Sequence, residues 1–171
     1  MIWQAFSDFR QIPVCTLDDL PTDGIAAVLT EDRRDEARLT NISAIMKDRL
    51  AVKEVWKELL PEASLLISSA ICGGDLRVRF EEAAAKHPCW LLLEPIRMRF
   101  PLPCRDGRGT PIKELPSEPL FYSDTLCCQY SHTPEAMFLW DTDETLQTKI
   151  RLALESGFLG IAANNQSTVI L

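Results

Sequence analysis

Hydrophobic and polar positions alternate most legibly between Phe138 and Ala163. Leu146, Ile150, Ala153 and Leu154 recur at helical spacing as one apolar stripe, which assigns Gln147, Lys149, Arg151 and Glu155 to the other faces. Asp141 or Thr142 can cap this helix, and Asp141 with Glu144 has the spacing of a capping box, with acids gathered where the helix dipole is positive. Gly157 stands where a left-handed residue would stop it, and the apolar run 158–163 has the length of a buried strand. Helix, stop and buried strand in this order make half of a βαβ unit.

The same reading extends to the rest of the chain. Residues 1–24, with Pro13 and Pro21, read as a loop-rich start, and residues 24–29 as a first buried strand. The charge run 30–36 reads as a solvated loop and first helical turn. From about residue 35 to 60, Ile42, Ile45, Met46, Leu50, Val55, Trp56, Leu59 and Leu60 recur at threes and fours, which predicts a helix that ends at Pro61 and can be split near Thr40. A second strand is predicted over 65–71, a helix capped by Asp75 over 75–86, and a third strand over 89–98. Proline and glycine make 99–119 an irregular excursion. Residues 121–130 and 136–140 flank a turn and read as a hairpin. Strands alternating with helices argue for one α/β domain over 1–171 with a largely parallel sheet, carrying an inserted loop and hairpin at 99–140.

Composition narrows the classes. The 171 residues are 46% hydrophobic and 25% charged, values of a chain that folds. A net charge of −7 argues against nucleic acid or an anionic membrane as partner. Without a basic, apolar leader or a long apolar run, the expected compartment is the cytoplasm, with the six cysteines reduced.

Three stretches carry a family likeness: Leu91-Leu92-Leu93-Glu94-Pro95-Ile96-Arg97-Met98-Arg99-Phe100-Pro101-Leu102-Pro103; Phe121-Tyr122-Ser123-Asp124 with Gln129-Tyr130 and Phe138-Leu139-Trp140-Asp141; and 145–150 with Gly157-Phe158-Leu159-Gly160-Ile161. Together they resemble the closing part of the barrel of glycoside hydrolase family 18, the chitinase-like enzymes, particularly the spore-germination and cell-wall branch. In that family they would be the seventh strand and its aromatic loop, the hairpin of the inserted subdomain, and the last helix and eighth strand. The family's catalytic D-x-x-D-x-D-x-E run has no counterpart in this sequence. Glu94 stands where the family's seventh strand usually has glycine, and Asn164-Asn165 stand after the eighth strand, where the family usually has a tryptophan beneath the sugar. About four βα units are half those of an eight-stranded barrel, which runs to ~250 residues. The resemblance therefore implies a partial or half TIM-like barrel with largely parallel strands. Its implied role is a non-catalytic or degenerate domain, carbohydrate-binding or an assembly module, able to self-associate through strand edges or to complete a barrel by dimerisation.

Several side chains are candidates for chemistry. Glu94, at the predicted C-terminal end of a strand, is the candidate acid/base of an amino-sugar hydrolase, although a salt bridge to a nearby arginine such as Arg97 accounts for it without any chemistry. Arg97, Arg99, Phe100, Tyr122, Asp124, Trp140 and Asn164 are the candidate ligand-binding set. The aromatics among them could equally be core residues. Cys127-Cys128 with His132 lacks the spacing of a metal site, and buried thiols account for the cysteines. Gly73-Gly74-Asp75 lacks the lysine and spacing of a phosphate loop. No metal and no cofactor are expected. A third reading is an intracellular interaction domain whose 99–119 loop meets a partner.

Overall fold

The computed structural model describes residues 10–103, 107–114 and 119–163. Among these, six strands form a closed parallel barrel: β1 (Gln11–Cys15), β2 (Ala26–Val28), β3 (Leu50–Lys53), β4 (Ser64–Ser68), β5 (Cys89–Leu92) and β11 (Ile161–Ala163). They follow one another round the ring, with β11 inserted between β5 and β1. The ring shuts because β1 pairs with β2 on one side and β11 on the other, Val14 opposite Ala27 and Ile12 opposite Ala162. This is a TIM-like barrel reduced in strand number, yet complete within one chain.

Two of these strands depart from the sequence expectation. β1 lies in the stretch expected to be loop; Pro13 has no N–H to give a ladder, which hides the strand. β3 lies inside the predicted helix. The helix α1 (Glu36–Met46) ends at Lys47, which takes a positive φ of 53° normally left to glycine, so no stop signal is written in the sequence. After a 3₁₀ turn over Lys47–Arg49, Leu50 and Val52 face α1 and pack with Leu39, Met46 and Trp56, while Ala51 joins the cluster inside the barrel.

A narrow barrel needs small residues among large ones. Its interior is filled by Ile12, Ala27, Ala51, Leu66, Trp90, Leu92 and Ala162. Three alanines at zero exposure make room for the indole of Trp90. Gly160 is forced by the same crowding, since a Cβ there would meet the Arg10 carbonyl oxygen at 2.0 Å and the Trp90 ring at 2.8 Å. Outside the barrel, α2 (Leu76–Ala84) and α3 (Asp143–Glu155) cover β4, β5 and β11 through Leu76, Phe80, Ile150, Leu152, Ala153 and Phe158.

Between β5 and α3 the chain leaves the barrel for an antiparallel sheet of order β7-β6-β10-β9-β8: β6 (Arg97–Pro101), β7 (Thr110–Pro111), β8 (Phe121–Ser123), β9 (Cys128–His132) and β10 (Ala136–Trp140). The expected hairpin is thus three strands of a larger sheet, since Asp124–Cys127 is a turn and not strand. Ile96, Met98, Phe100, Cys128, Tyr130, Met137 and Leu139 pack on one side of it with Ala70 and Leu126.

The return to the barrel is built on α3. Thr142, not Asp141, is the cap: it accepts from the N–H of Thr145, whose hydroxyl accepts from the N–H of Thr142. Asp141 is instead buried with Lys149, Oδ2 to Nζ 2.7 Å, and neither side chain is exposed. Its carboxylate also accepts from the Ile96 N–H at 2.8 Å and the Thr145 hydroxyl at 2.8 Å. Lys149 therefore belongs to the buried face of α3, one helical turn from Leu146 and Ala153, and not to the solvent face. This pair joins the first residues before β6, the last after β10 and the first half of α3.

Candidate functional site

In barrels with parallel strands, sites collect at the C-terminal ends of the strands. There the chain places a rim of polar groups on four consecutive strands. Glu31, just past β2, accepts from the ammonium of Lys53 at the end of β3, 2.7 Å away. Ser68, the last residue of β4, donates to Oε2 of Glu94 at 2.6 Å. Ser69 holds the backbone of Glu94 at both ends, accepting from its N–H and donating to its carbonyl, each at 2.9 Å. Glu94 is therefore fixed by serines and not by Arg97, the partner expected from its position. Nearby, Thr30 donates to Asp35 at 2.6 Å and Trp56 donates its indole N–H to the Thr30 carbonyl. Of the other carboxylates of this rim, Glu31 is neutralised by its lysine and Asp35 accepts from the Thr30 hydroxyl.

The antiparallel sheet starts three residues beyond Glu94. Its pairing sorts the candidate residues by side. Cross-strand neighbours share a face, so Arg97, Trp140, Gln129 and Tyr122 form one row across β6, β10, β9 and β8. Thr110, Arg99, Phe138 and Ser131 form the next row across β7, β6, β10 and β9. The guanidinium of Arg97 lies over the Trp140 ring, 4.5 Å from its centroid, which hides all but 8% of the indole. Arg97, Arg99, Gln129 and Phe138 are half-buried, and Tyr122 is 44% exposed. Partial burial and the neighbouring Cys127 thiol push the Tyr122 phenol up to about 12.

Four predicted residues, Arg97, Arg99, Tyr122 and Trp140, are thus brought together on one face. Phe100 is not among them: it lies on the opposite face, 4% exposed, packed with Ile96, Cys128 and Leu139. Asp124 lies in a separate cavity of about 280 Å³, lined by Asp75, Arg77, Thr148, Arg151 and Glu155. Asn164 lies outside the described residues. Gln129, Ser131 and Phe138 stand outside the candidate ligand-binding set read from sequence, although Gln129 and Phe138 belong to the stretches that carry the family likeness. Alternation within β9 and β10 would give their face, but only the register shows that they stand beside the arginines.

Cys15, Cys72, Cys89, Cys127 and Cys128 are free thiols, and burial pushes Cys89 and Cys128 up to about 12. His132 is exposed while Cys128 is fully buried, so the histidine does not activate it. No group of three His, Cys, Asp or Glu side chains able to hold a metal occurs among the described residues. No helix among them is long and apolar enough to cross a membrane.

No protein-family model matches the chain, and no curated protein matches it. Among solved structures, the spore cortex-lytic enzyme SleL of Bacillus cereus is similar over 80% of this chain, with 14% identity and a TM-score of 0.49. The chain spans 44% of the length of that protein.

Proposed function

We propose that this chain is a non-catalytic, carbohydrate-binding α/β barrel domain of the glycoside hydrolase family 18 kind, with its binding surface on the antiparallel sheet. The observation that supports this reading is the sheet face itself, on which four strands assemble Arg97, Trp140, Gln129 and Tyr122 in one row. In this row Tyr122 offers the exposed ring, Trp140 being covered by Arg97, and an exposed ring beside amide and guanidinium donors suits a saccharide: an apolar C–H face lies on the ring while the donors meet hydroxyls. The loss of catalysis is supported by the missing acidic run; the Glu94 carboxylate accepts from Ser68, Glu31 is paired with Lys53, and Asp35 accepts from the Thr30 hydroxyl. Because the barrel sheet is closed, self-association through strand edges would use β7 or β8, the outer strands of the antiparallel sheet.

The test is binding of amino-sugar oligomers to the intact chain, followed by tryptophan fluorescence, with product analysis on the same samples. Saturable binding without cleavage is expected. Tyr122→Ala should weaken it by about two- to tenfold, the worth of one aromatic contact. Cleavage that disappears in a folded Glu94→Gln variant would replace this reading with that of a hydrolase.

A further inference from the structure

The second row of the sheet face has two features that neutral sugar binding does not use. Arg99 forms no ion pair among the described residues, and neither does Arg97, whose guanidinium is stacked on Trp140. Among the other described arginines, Arg33, Arg34, Arg38, Arg77 and Arg79 have acidic partners, while Arg10, Arg49 and Arg151 form no ion pair with a described residue; Arg97 and Arg99 differ from these three in standing two residues apart on one strand face. In a chain of net charge −7, two arginines side by side without a carboxylate are a local reversal of sign. The second feature is Ser131, 1% exposed, whose hydroxyl has no hydrogen-bond partner. It is the register partner of Phe138, itself the partner of Arg99, so the orphan hydroxyl and the unpaired guanidinium lie in one row roughly 10 Å long. A buried hydroxyl without a partner is a cost that an incoming oxygen would remove.

Resting on the carbohydrate reading above, we infer that this face selects acidic saccharides, sugars bearing a carboxylate, over neutral ones. Arg99 is the ion-pairing group, placed for a bidentate carboxylate contact. Ser131 and Gln129 meet the hydroxyl oxygens beside it, and Phe138 with Tyr122 lies under the ring. Asp124 lines the separate cavity beside α3 and its charge reaches Tyr122, on β8, whereas Arg99 stands on β6 at the other side of the sheet.

Calorimetric titration of the intact chain with a glucuronate-containing oligosaccharide, its neutral glucose counterpart and inorganic phosphate tests this. The acidic oligomer is expected to bind at least about tenfold more tightly than the neutral one, and less tightly as salt rises. Arg99→Gln should bring the ratio of acidic to neutral affinity down to about one, whatever it does to neutral binding itself, whereas a ratio unchanged from the parent chain would count against Arg99 as the ion-pairing group. Ser131→Ala should weaken the acidic oligomer by about two- to tenfold without lowering the thermal midpoint, an outcome that a packing role for the hydroxyl would not produce. Equal binding of acidic and neutral oligomers overturns the inference and leaves the carbohydrate reading standing. Phosphate binding as tight as the uronate's, and equally lost in Arg99→Gln, overturns the saccharide part. Binding of no saccharide at all overturns both.

Discussion

Replacing Lys149 by methionine is the most informative single perturbation of this fold. The side chain fits the same volume but leaves the Asp141 carboxylate, wholly buried, without its cation. At 2.7 Å the Coulombic attraction is about 6 kcal/mol for an effective dielectric constant near 20. Desolvation of both ions, several kcal/mol each, offsets it, so the pair contributes little net stability compared with an apolar pair of the same shape. Breaking it is another matter. The remaining charge retains the hydrogen bonds from Ile96 and Thr145 but still costs about 3–5 kcal/mol. For a chain of this length that corresponds to a fall of about 6–20 °C in thermal midpoint. Urea unfolding followed by circular dichroism on Lys149→Met, Asp141→Asn and the double variant checks the argument. Each single variant should lose several kcal/mol and the double variant should recover much of the loss. Single variants that cost less than about 1 kcal/mol, or costs that simply add, would refute a coupled buried pair.

Two further outcomes follow from the packing. Gly160→Ala should destabilise the barrel by about 1–3 kcal/mol or more in urea unfolding, because its Cβ would stand 2.0 Å from the Arg10 carbonyl oxygen; an unchanged midpoint would contradict the close approach of β1 and β11. Burial pushes the Cys89 and Cys128 thiols up to about 12 in the folded chain, whereas an unfolded thiol ionises at ~8.5. Above ~8.5 the unfolded state has released protons that the folded state still holds. The thiol contribution to stability is fully present below that pH and declines as pH rises toward 12. Thermal midpoints at rising pH should therefore drop, and drop less in a Cys89→Ala, Cys128→Ala double variant; identical slopes would exclude the thiols as the cause.

The barrel was legible in sequence wherever a buried strand was bounded by turn signals, as at β2, β4, β5 and β11. β1 was hidden by Pro13, and β3 by helical spacing that happens to continue from α1 through Leu50 to Trp56. What turns the chain between them is Lys47 at positive φ, a conformation that residue type does not advertise. Closure depends on β1 and β3, so an open half-barrel was the natural expectation without them. The spacing of Asp141 suits a cap as well as it suits a buried pair, although Lys149 lies three residues from Leu146 and four from Ala153, on the buried face of α3. For the candidate site, alternation separates Arg97 and Arg99 from Phe100 within β6. Which residues of β9 and β10 stand opposite them depends on register, and two-residue periodicity alone does not set it.

The central claim is that the antiparallel sheet, and not the rim around Glu94, receives the ligand. Amide chemical-shift mapping of the intact chain during titration with an amino-sugar oligomer tests it most directly. The account predicts saturable shifts at Arg97, Arg99, Tyr122, Gln129 and Phe138, with Ser68, Ser69 and Glu94 little changed and no product formed. Shifts centred on Ser68, Ser69 and Glu94, with the sheet residues silent, would contradict it.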